Sequence, residues 1–404
     1  MIENDIFGLE RENKIIKSGV RNIFTPHQPI HDLKLFLGRK SEVKQLIGYL
    51  NTPGQHALIF GDRGVGKSSI ANITSELLLS QVMGHRIVKK RCDSEDNFVT
   101  IVRKILEEVN IDIYQGLEEK RRGFQAGKYL TFSKNSSSTF EGYSGKAASP
   151  SWVCEKIQDI DAIYVIDEID SIKNNYDRKK IAELIKQLSD SGSSLKVLLV
   201  GISETASDLV AGHKSVNRCL KEVKINKMSD QEIRSIITSG SEKLGLSFTK
   251  KAISNIVSLS SGYPHFTHLL CLKSAEEAIV NEQKKVDSKN LTNAISSAVD
   301  DAEGTLRADY NNAVRSSQSP EYKKILLVAS LCEDEEIKAK DIRIKYEEEF
   351  DEKISQGTLN NYYKRLVSDD DSSILKRIAK GVYKFNDPRM PSYIQIAQSY
   401  FDRD

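Results

Sequence analysis

The sequence predicts an α/β chain: a parallel sheet flanked by helices, followed by an all-helical unit and then by three helices and a hairpin. Three observations predict it. Apolar runs without polar alternation, at 57–60 (ALIF), 163–166 (IYVI) and 195–201 (LKVLLVG), read as strands buried on both faces, as in parallel sheets. A glycine-rich turn, 61–68 (GDRGVGKS), stands between the first run and a helical recurrence of Ile70, Ile73, Leu77 and Leu78. From Ser229 onward the apolar period is that of helices, until a paired pattern around Lys380-Gly381.

The turn is the full G-x-x-x-x-G-K-S pattern, in the strand–turn–helix setting that gives it meaning. Gly61, Gly64 and Gly66 let the backbone bend where a Cβ would clash, so that the N–H groups of Asp62, Arg63, Val65 and their neighbours can face phosphate oxygens. The helix starting near Lys67 adds its N-terminal dipole. Lys67 supplies a point charge for β- and γ-phosphates, and Ser68, followed by Ser69, offers a hydroxyl to Mg²⁺. The alternative is a chance glycine turn between a core strand and a core helix. The motifs downstream arrive in an order that argues against it.

The 404 residues are enough for two or three domains, and 39% hydrophobic with 29% charged residues is ordinary for a globular protein. The net charge of +2 points to no class of partner, so any nucleic-acid contact has to come from a local patch. Cys92, Cys154, Cys219, Cys271 and Cys332 are far apart and form no C-x-x-C pair, the pattern of single thiols in a reducing cytosol. The charged start, MIENDIFGLERENK, does not read as a signal peptide, and no apolar run approaches the length of a membrane span.

Before the turn, Pro26 and Pro29 mark an extended segment, and Val43, Leu46, Ile47 and Leu50 define a helix face. After it, 86–91 (RIVKKR) reads as a second strand and 97–109 as a helix. Residues 116–150, with KNSSST at 134–139, read as a polar loop or insertion. The run 163–166 ends on Asp167 and Glu168. Asp167 can hold Mg²⁺, and Glu168 can orient or deprotonate an attacking water, in the place where open α/β sheets bind ligands. A solvated acidic turn is the alternative. The strand 195–201 leads to Ser203, which can stand beside a γ-phosphate or simply cap a helix. Arg218, before a short strand at 222–225, can reach a neighbouring subunit's γ-phosphate or form a surface ion pair.

From Ser229 four helices follow, with a break at 261–264 (SGYP) that places His265 near a helix N-terminus. His265 either faces nucleotide or is structural. Residues 304–320 read as a connector. Helices at 322–331, 340–350 and 357–367, then a hairpin within 374–385, make a winged helix. Asn360, Asn361, Lys364 and Arg365 on its third helix, with Lys376, Arg377, Lys380 and Lys384 on the hairpin, suit a DNA groove. Asp369 to Asp371 and the acidic 333–336 dilute that field, and such units also contact proteins.

The ordered set resembles AAA+ ATPases of the origin-recognition type across residues 22–392. The resemblance implies an N-terminal segment 1–37, a nucleotide-binding domain 38–228, a helical lid 229–303, a connector 304–320, a winged-helix domain 321–392 and a tail 393–404. It makes 61–68 a Walker A and 163–168 a Walker B motif. It sets Arg39, within GRKSE, near adenine, Ser203 at sensor 1, Arg218 at the arginine finger and His265 at sensor 2, where origin-recognition proteins carry an arginine. The phrases FTPHQPI, GQHALIFGDRGVGKSS, HKSVNRCL and GYPHFTHLL are similar to a large group of bacterial ATPases that shares this histidine. The implied protein is a cytoplasmic, homo-oligomeric ATPase switch using ATP and Mg²⁺, in which Lys67 and Glu168 carry the chemistry with Ser203 and Arg218, and a winged helix meets DNA. A nucleotide-gated scaffold recruiting an effector protein is the alternative. A signalling ATPase that assembles on detecting an invader is a third reading, weakened by the lack of an appended sensor domain.

Overall fold

The computed structural model describes residues 8–83, 86–114, 141–144, 148–202, 216–302, 304–315, 320–332, 334–367 and 373–401. The chain forms two compact units. A sheet unit comprises Arg39–Gly61 and Lys67–Ile225, and a helical unit comprises Met1–Gly38, Asp62–Gly66 and Asn226–Asp404.

In the sheet unit, β1 (His56–Gly61) is followed by β2 (Arg86–Arg91), a short parallel pair β3 (Ile111–Tyr114) and β4 (Glu141–Ser144), then β5 (Ala162–Asp167), β6 (Lys196–Gly201) and β7 (Leu220–Ile225). Five of these form one parallel sheet in the order β2-β5-β6-β1-β7. The registers pair Arg91 with Asp167, Phe60 with Gly201 and Gly61 with Ile225, so the carboxyl ends align along one edge. Every residue of β6 is buried, as its unbroken apolar run predicts. Helices Phe98–Leu106 and Asn175–Asp190 bury Phe98, Ile101, Ile105, Ile181, Ile185 and Leu188 against the sheet, each contributing about 1.5–3 kcal/mol. The Asn97 side chain starts the first helix by accepting from Val99 and Thr100 N–H, while Thr100 Oγ1 accepts from Asn97 N–H. Tyr164, buried on β5, donates its hydroxyl to the Ile101 carbonyl and so ties strand to helix. Of the polar stretch expected over 116–150, residues 116–140 and 145–147 lie outside the described residues. Residues 141–144 are a strand rather than loop, because they pair with Ile111–Tyr114.

In the helical unit, Leu9–Ser18 and Val20–Ile23 pack on Pro264–Val280, and the Phe24 ring lies against Gly240, where a Cβ would fall 2.5 Å from it. The N-terminal segment is therefore part of this unit, anchored by Thr25 N–H donating to His268 Nδ1 at 3.1 Å. Helices Asp230–Lys243, Lys250–Ser260, Pro264–Val280 and Ser288–Asp301 follow, with β8 (Ser247–Phe248) and β9 (Lys285–Val286) paired in parallel. The connector expected over 304–320 contains a helix, Gly304–Arg315, because Leu306 and Tyr310 are buried on one side of it. Beyond it come Glu321–Ser330, β10 (Ile337–Lys338), Ala339–Phe350, Gln356–Leu366, β11 (Leu375–Ala379) and β12 (Val382–Phe385), the strands ordered β10-β12-β11. Gly381, at φ 77°, makes the hairpin turn. The tail expected from 393 is a helix, Met390–Phe401, packed on both Ser288–Asp301 and Glu321–Ser330 through buried Tyr393, Ile394 and Ala397. All five cysteines are free, four of them buried. No helix among the described residues is long and apolar enough to cross a membrane.

His56, 1% exposed on β1, accepts a hydrogen bond from Val197 N–H through Nδ1 at 3.0 Å. Burial, aided by the charge of Lys196, lowers its pKa from 6.5 to about 3. Above pH 6.5 the ring is neutral whether the chain is folded or unfolded. Between 6.5 and 3 the unfolded chain takes up a proton that the folded chain refuses, so stability falls as pH falls, by about 1.4 kcal/mol per unit. An asparagine in its place would keep an acceptor for Val197 without titrating. The His56→Asn chain should therefore lose about 2 kcal/mol less than wild type between pH 7 and 5, read by urea unfolding of the sheet unit. Equal losses would count against this account.

Candidate nucleotide-binding site

The sheet unit brings the predicted metal ligands together. β1 ends at Gly61, whose φ of 152° and tight packing leave no room for a side chain: a Cβ would lie 2.3 Å from the Ile225 carbonyl oxygen on β7. The helix Lys67–Leu77 packs over β1, β6 and β5, so its first turn stands at their carboxyl ends. There the Ser68 hydroxyl hydrogen-bonds the Asp167 carboxylate, which also accepts from Glu168 N–H at 2.8 Å. Burial raises the Asp167 pKa, and the two hydrogen bonds work against that rise. Lys67 Nζ donates to the Gly61 carbonyl at 3.0 Å.

Glu168 takes a left-handed backbone, φ 56°, which turns it out of the strand. Its Oε1 accepts from Arg91 Nη2 at 2.6 Å. Arg91 closes β2 in register with Asp167, so the β2–β5 pairing sets this ion pair. The sequence reading gave Arg91 no role. The available signal was a base at the end of RIVKKR, but only strand order puts it beside an acid 77 residues away.

Other expected residues sit as follows. Arg39, 5% exposed at φ 56°, begins the helix Lys40–Asn51 and pairs with Glu42 at 3.2 Å. Arg218, in the turn Val216–Arg218, is mostly exposed and holds Asp190 at 2.5 Å. Ser203 lies outside the described residues. In the helical unit, the loop residues Asp62–Gly66 include a buried Val65 and a Gly66 at φ 94°, a conformation open to glycine. Ser69 follows within the first turn of Lys67–Leu77. His265, second in its helix, uses Nδ1–H to donate to the Pro26 carbonyl at 2.8 Å, a structural tie to the N-terminal segment.

On the helix Gln356–Leu366, Asn360, Asn361 and Lys364 are exposed, as are Arg377 and Lys380 on the hairpin, with Lys376 half-buried. Arg365 instead stacks on Tyr322, 4.8 Å from the ring centre, and donates to the Asn312 carbonyl at 3.0 Å. Lys384 pairs with Glu335 at 2.6 Å.

These environments predict unequal costs. Gly61→Ala should destabilise the sheet unit by about 3 kcal/mol or more, since the added carbon meets backbone. Arg91→Ala and Arg218→Ala, which break exposed pairs, should each cost under about 1 kcal/mol. Urea denaturation at pH 7 checks all three.

Comparison with known proteins supports the same fold. The Walker-type ATPase PabY2304 of Pyrococcus abyssi superposes with a TM-score of 0.52 at 18% identity, covering 92% of this chain and 99% of that one. The ORC2 protein of Aeropyrum pernix, solved as ADPNP–ADP complexes, superposes with a TM-score of 0.51 at 15% identity, covering 95% and 98%. At these identities the likeness establishes an AAA+-type P-loop fold and no more. No match was found among curated proteins. The family model of nSTAND1, Novel STAND NTPase 1, matches residues 26–367, which include the loop, both acids and most of the helical unit. The chain thus belongs to the nSTAND1 family of STAND NTPases.

Proposed function

We propose that the chain is a Mg²⁺-dependent ATPase switch that assembles with copies of itself and passes its nucleotide state to a C-terminal winged helix in the cytosol. The contact between Ser68 and Asp167 carries the proposal. A hydroxyl and a carboxylate are hard oxygen donors, and Mg²⁺ takes one or two such protein oxygens and fills its remaining positions with phosphate oxygens and water. The two residues fit that ion. Held by these two residues, Mg²⁺ would supply positive charge that offsets the negative charge developing on phosphoryl transfer. Lys67 places a cation on the same phosphates, and the amides of Asp62–Gly66 take further oxygens. Glu168 accepts the proton of the attacking water when it leaves Arg91. While paired to Arg91 it is withheld from that task, so the basal rate is slow.

Arg218 is assigned to the γ-phosphate of a neighbouring copy. Its exposed pair with Asp190 is worth about 0–1 kcal/mol, so a phosphate can displace it. Ser203 senses the γ-phosphate, Arg39 approaches the base, and His265 relates lid position to occupancy. The winged helix meets DNA through Asn360, Asn361, Lys364, Lys376, Arg377 and Lys380, with Arg365 as an internal brace for that helix. The Arg91–Glu168 pair also favours a second reading, a nucleotide-gated scaffold that hydrolyses little and recruits an effector protein.

The test is a set of three variants in an ATPase and ATP-retention assay. Glu168→Gln should retain ATP with Mg²⁺ and stop turnover. Arg91→Ala should raise turnover several-fold at unchanged ATP affinity. Arg218→Ala should flatten the rise of specific activity with protein concentration. Turnover in Glu168→Gln equal to wild type would overturn the catalytic assignment, and a rate indifferent to Arg91 would favour the scaffold. For the DNA arm, Lys364→Ala should weaken DNA retention and lower the salt slope by about 1. Salt-insensitive binding to a protein would move the winged helix to the effector reading.

A further inference from the structure

A cleft of about 490 Å³ opens within the helical unit, between the N-terminal arm and the helices Pro264–Val280 and Ser288–Asp301. Arg11 and Glu12 reach it from Leu9–Ser18, Arg21 from Val20–Ile23, and Lys273, Glu276 and Glu277 from Pro264–Val280. Three cations and three carboxylates therefore face one space, with Ile15 and Ala294 as its apolar lining.

These charges are held unequally. Glu276 is enclosed, 7% exposed at its side chain; it accepts from Arg21 Nε at 2.7 Å and lies 3.5 Å from Lys273 Nζ. Lys273, also enclosed, has Asp301 as a second partner. The mouth is looser. Arg21 Nη1 and Nη2 both donate to the Glu12 carboxylate, Nη2 at 3.3 Å, and the two side chains are half-exposed. Arg11, more exposed still, stands 3.8 Å from Glu277, too far for a hydrogen bond. The hydrogen bond from Arg21, followed by the charges of Arg21, Lys273 and Arg11, holds the Glu12 carboxyl below its usual range. Three cations thus converge on one carboxylate that water reaches.

Exposed ion pairs add little to stability, so stability does not account for this convergence. A ligand does. Glu12 occupies the position that a ligand's carboxylate would take. Swung out to water, it leaves the Arg21 fork open to two carboxylate oxygens, with Arg11 able to turn toward them. Glu277, whose Oε1 is steadied by Asn281 Nδ2 at 3.2 Å, then becomes an acceptor for an ammonium group. The lining charges cancel, so a ligand of one sign would leave partners of the other sign unmatched, whereas a zwitterion matches both. The volume falls in the range of small-molecule sites, about 300–1,000 Å³.

We propose that this cleft binds a small zwitterion with one carboxylate and one ammonium group, the chemistry of a free α-amino acid or a short peptide. Arg21 and Arg11 take the carboxylate, displacing Glu12, and Glu277 takes the ammonium. The bound molecule ties Leu9–Ser18 and Val20–Ile23 to Pro264–Val280, which makes docking of the N-terminal arm sensitive to the ligand. None of these groups belongs to 61–68, so the site holds whether or not that loop takes ATP.

The full chain is titrated by calorimetry with each of the common L-amino acids in turn and with triglycine, and amide exchange is followed across 9–23. At least one probe should bind saturably and raise protection of 9–23. Saturation by triglycine alone assigns the cleft to peptide ends, and saturation by an amino acid alone assigns it to free amino acids. N-acetylation of the binding probe should weaken it about tenfold or more, since a charge-assisted hydrogen bond is lost. Arg11→Met should weaken it by a similar factor. Glu12→Gln should tighten it about three- to tenfold, because the competing carboxylate is gone, whereas packing alone predicts no gain. An unchanged unliganded melting transition shows that the variants fold, and Arg11→Gln takes the place of Arg11→Met if the latter has lost it. Absence of saturable binding to both wild type and Glu12→Gln would overturn the proposal. So would an N-acetylated probe that binds as well as the free one, or wild-type affinity in both variants.

Discussion

A hydroxyl on one helix has to reach a carboxylate on a strand two places away in the sheet, and much of the sheet unit serves that contact. Ser68 belongs to the helix that β1 feeds, Asp167 to the end of β5, and β6 lies between the two strands. The distance closes because the helix Lys67–Leu77 runs over all three strands and because the parallel registers bring their carboxyl ends level. The close fit of Gly61 to the Ile225 carbonyl fixes where β1 stops and the turn begins. A one-residue slip in any of these registers would turn Asp167 to the other face and separate the two oxygens.

Three of the arginines paired with carboxylates, two in the sheet unit and one in the helical unit, have surroundings that differ in ways that matter energetically. Arg91 with Glu168 and Arg218 with Asp190 are solvent-accessible pairs, 73%/40% and 66%/46% exposed at the side chains, so water and salt compete for both ends. Such pairs exchange partners at little cost and suit groups that have to move. Arg389 with Asp387 is enclosed, 6%/16% exposed. Removing one member there strands a buried charge, which makes that pair a fixed element of the helical unit.

The local patterns were legible in the sequence. Unbroken apolar runs ending in Asp167-Glu168, and a glycine turn between a run and a helical period, specify strand, loop and helix through neighbours in the chain. The strand order, the Arg91–Glu168 pair and the charged cleft between the N-terminal arm and Pro264–Val280 were not legible, because each depends on packing between distant segments. Two helices were misjudged for local reasons. Gly304–Arg315 shows the core only Leu306 and Tyr310 among polar residues, so its period is faint. Met390–Phe401 carries Pro391 in its first turn, where a missing N–H costs nothing, and its apolar face is completed only by contact with two other helices. His265 was placed correctly at a helix start, but its bond to Pro26 follows from the N-terminal segment's packing within the helical unit, which no short window of sequence contains.

The helical unit is discontinuous: it draws on the first 38 residues, on the loop Asp62–Gly66 and then on those after 225. Phe24 fills the space over Gly240, and Thr25 is tied to a histidine 243 positions further on. During synthesis, at roughly 5–20 residues per second, the N-terminal arm therefore waits on the order of tens of seconds for its partners to leave the ribosome. All the strands of the sheet unit emerge within that interval. The nascent chain must complete its sheet while an apolar arm remains undocked, so Phe24 stays without its core until the helix carrying Gly240 has emerged.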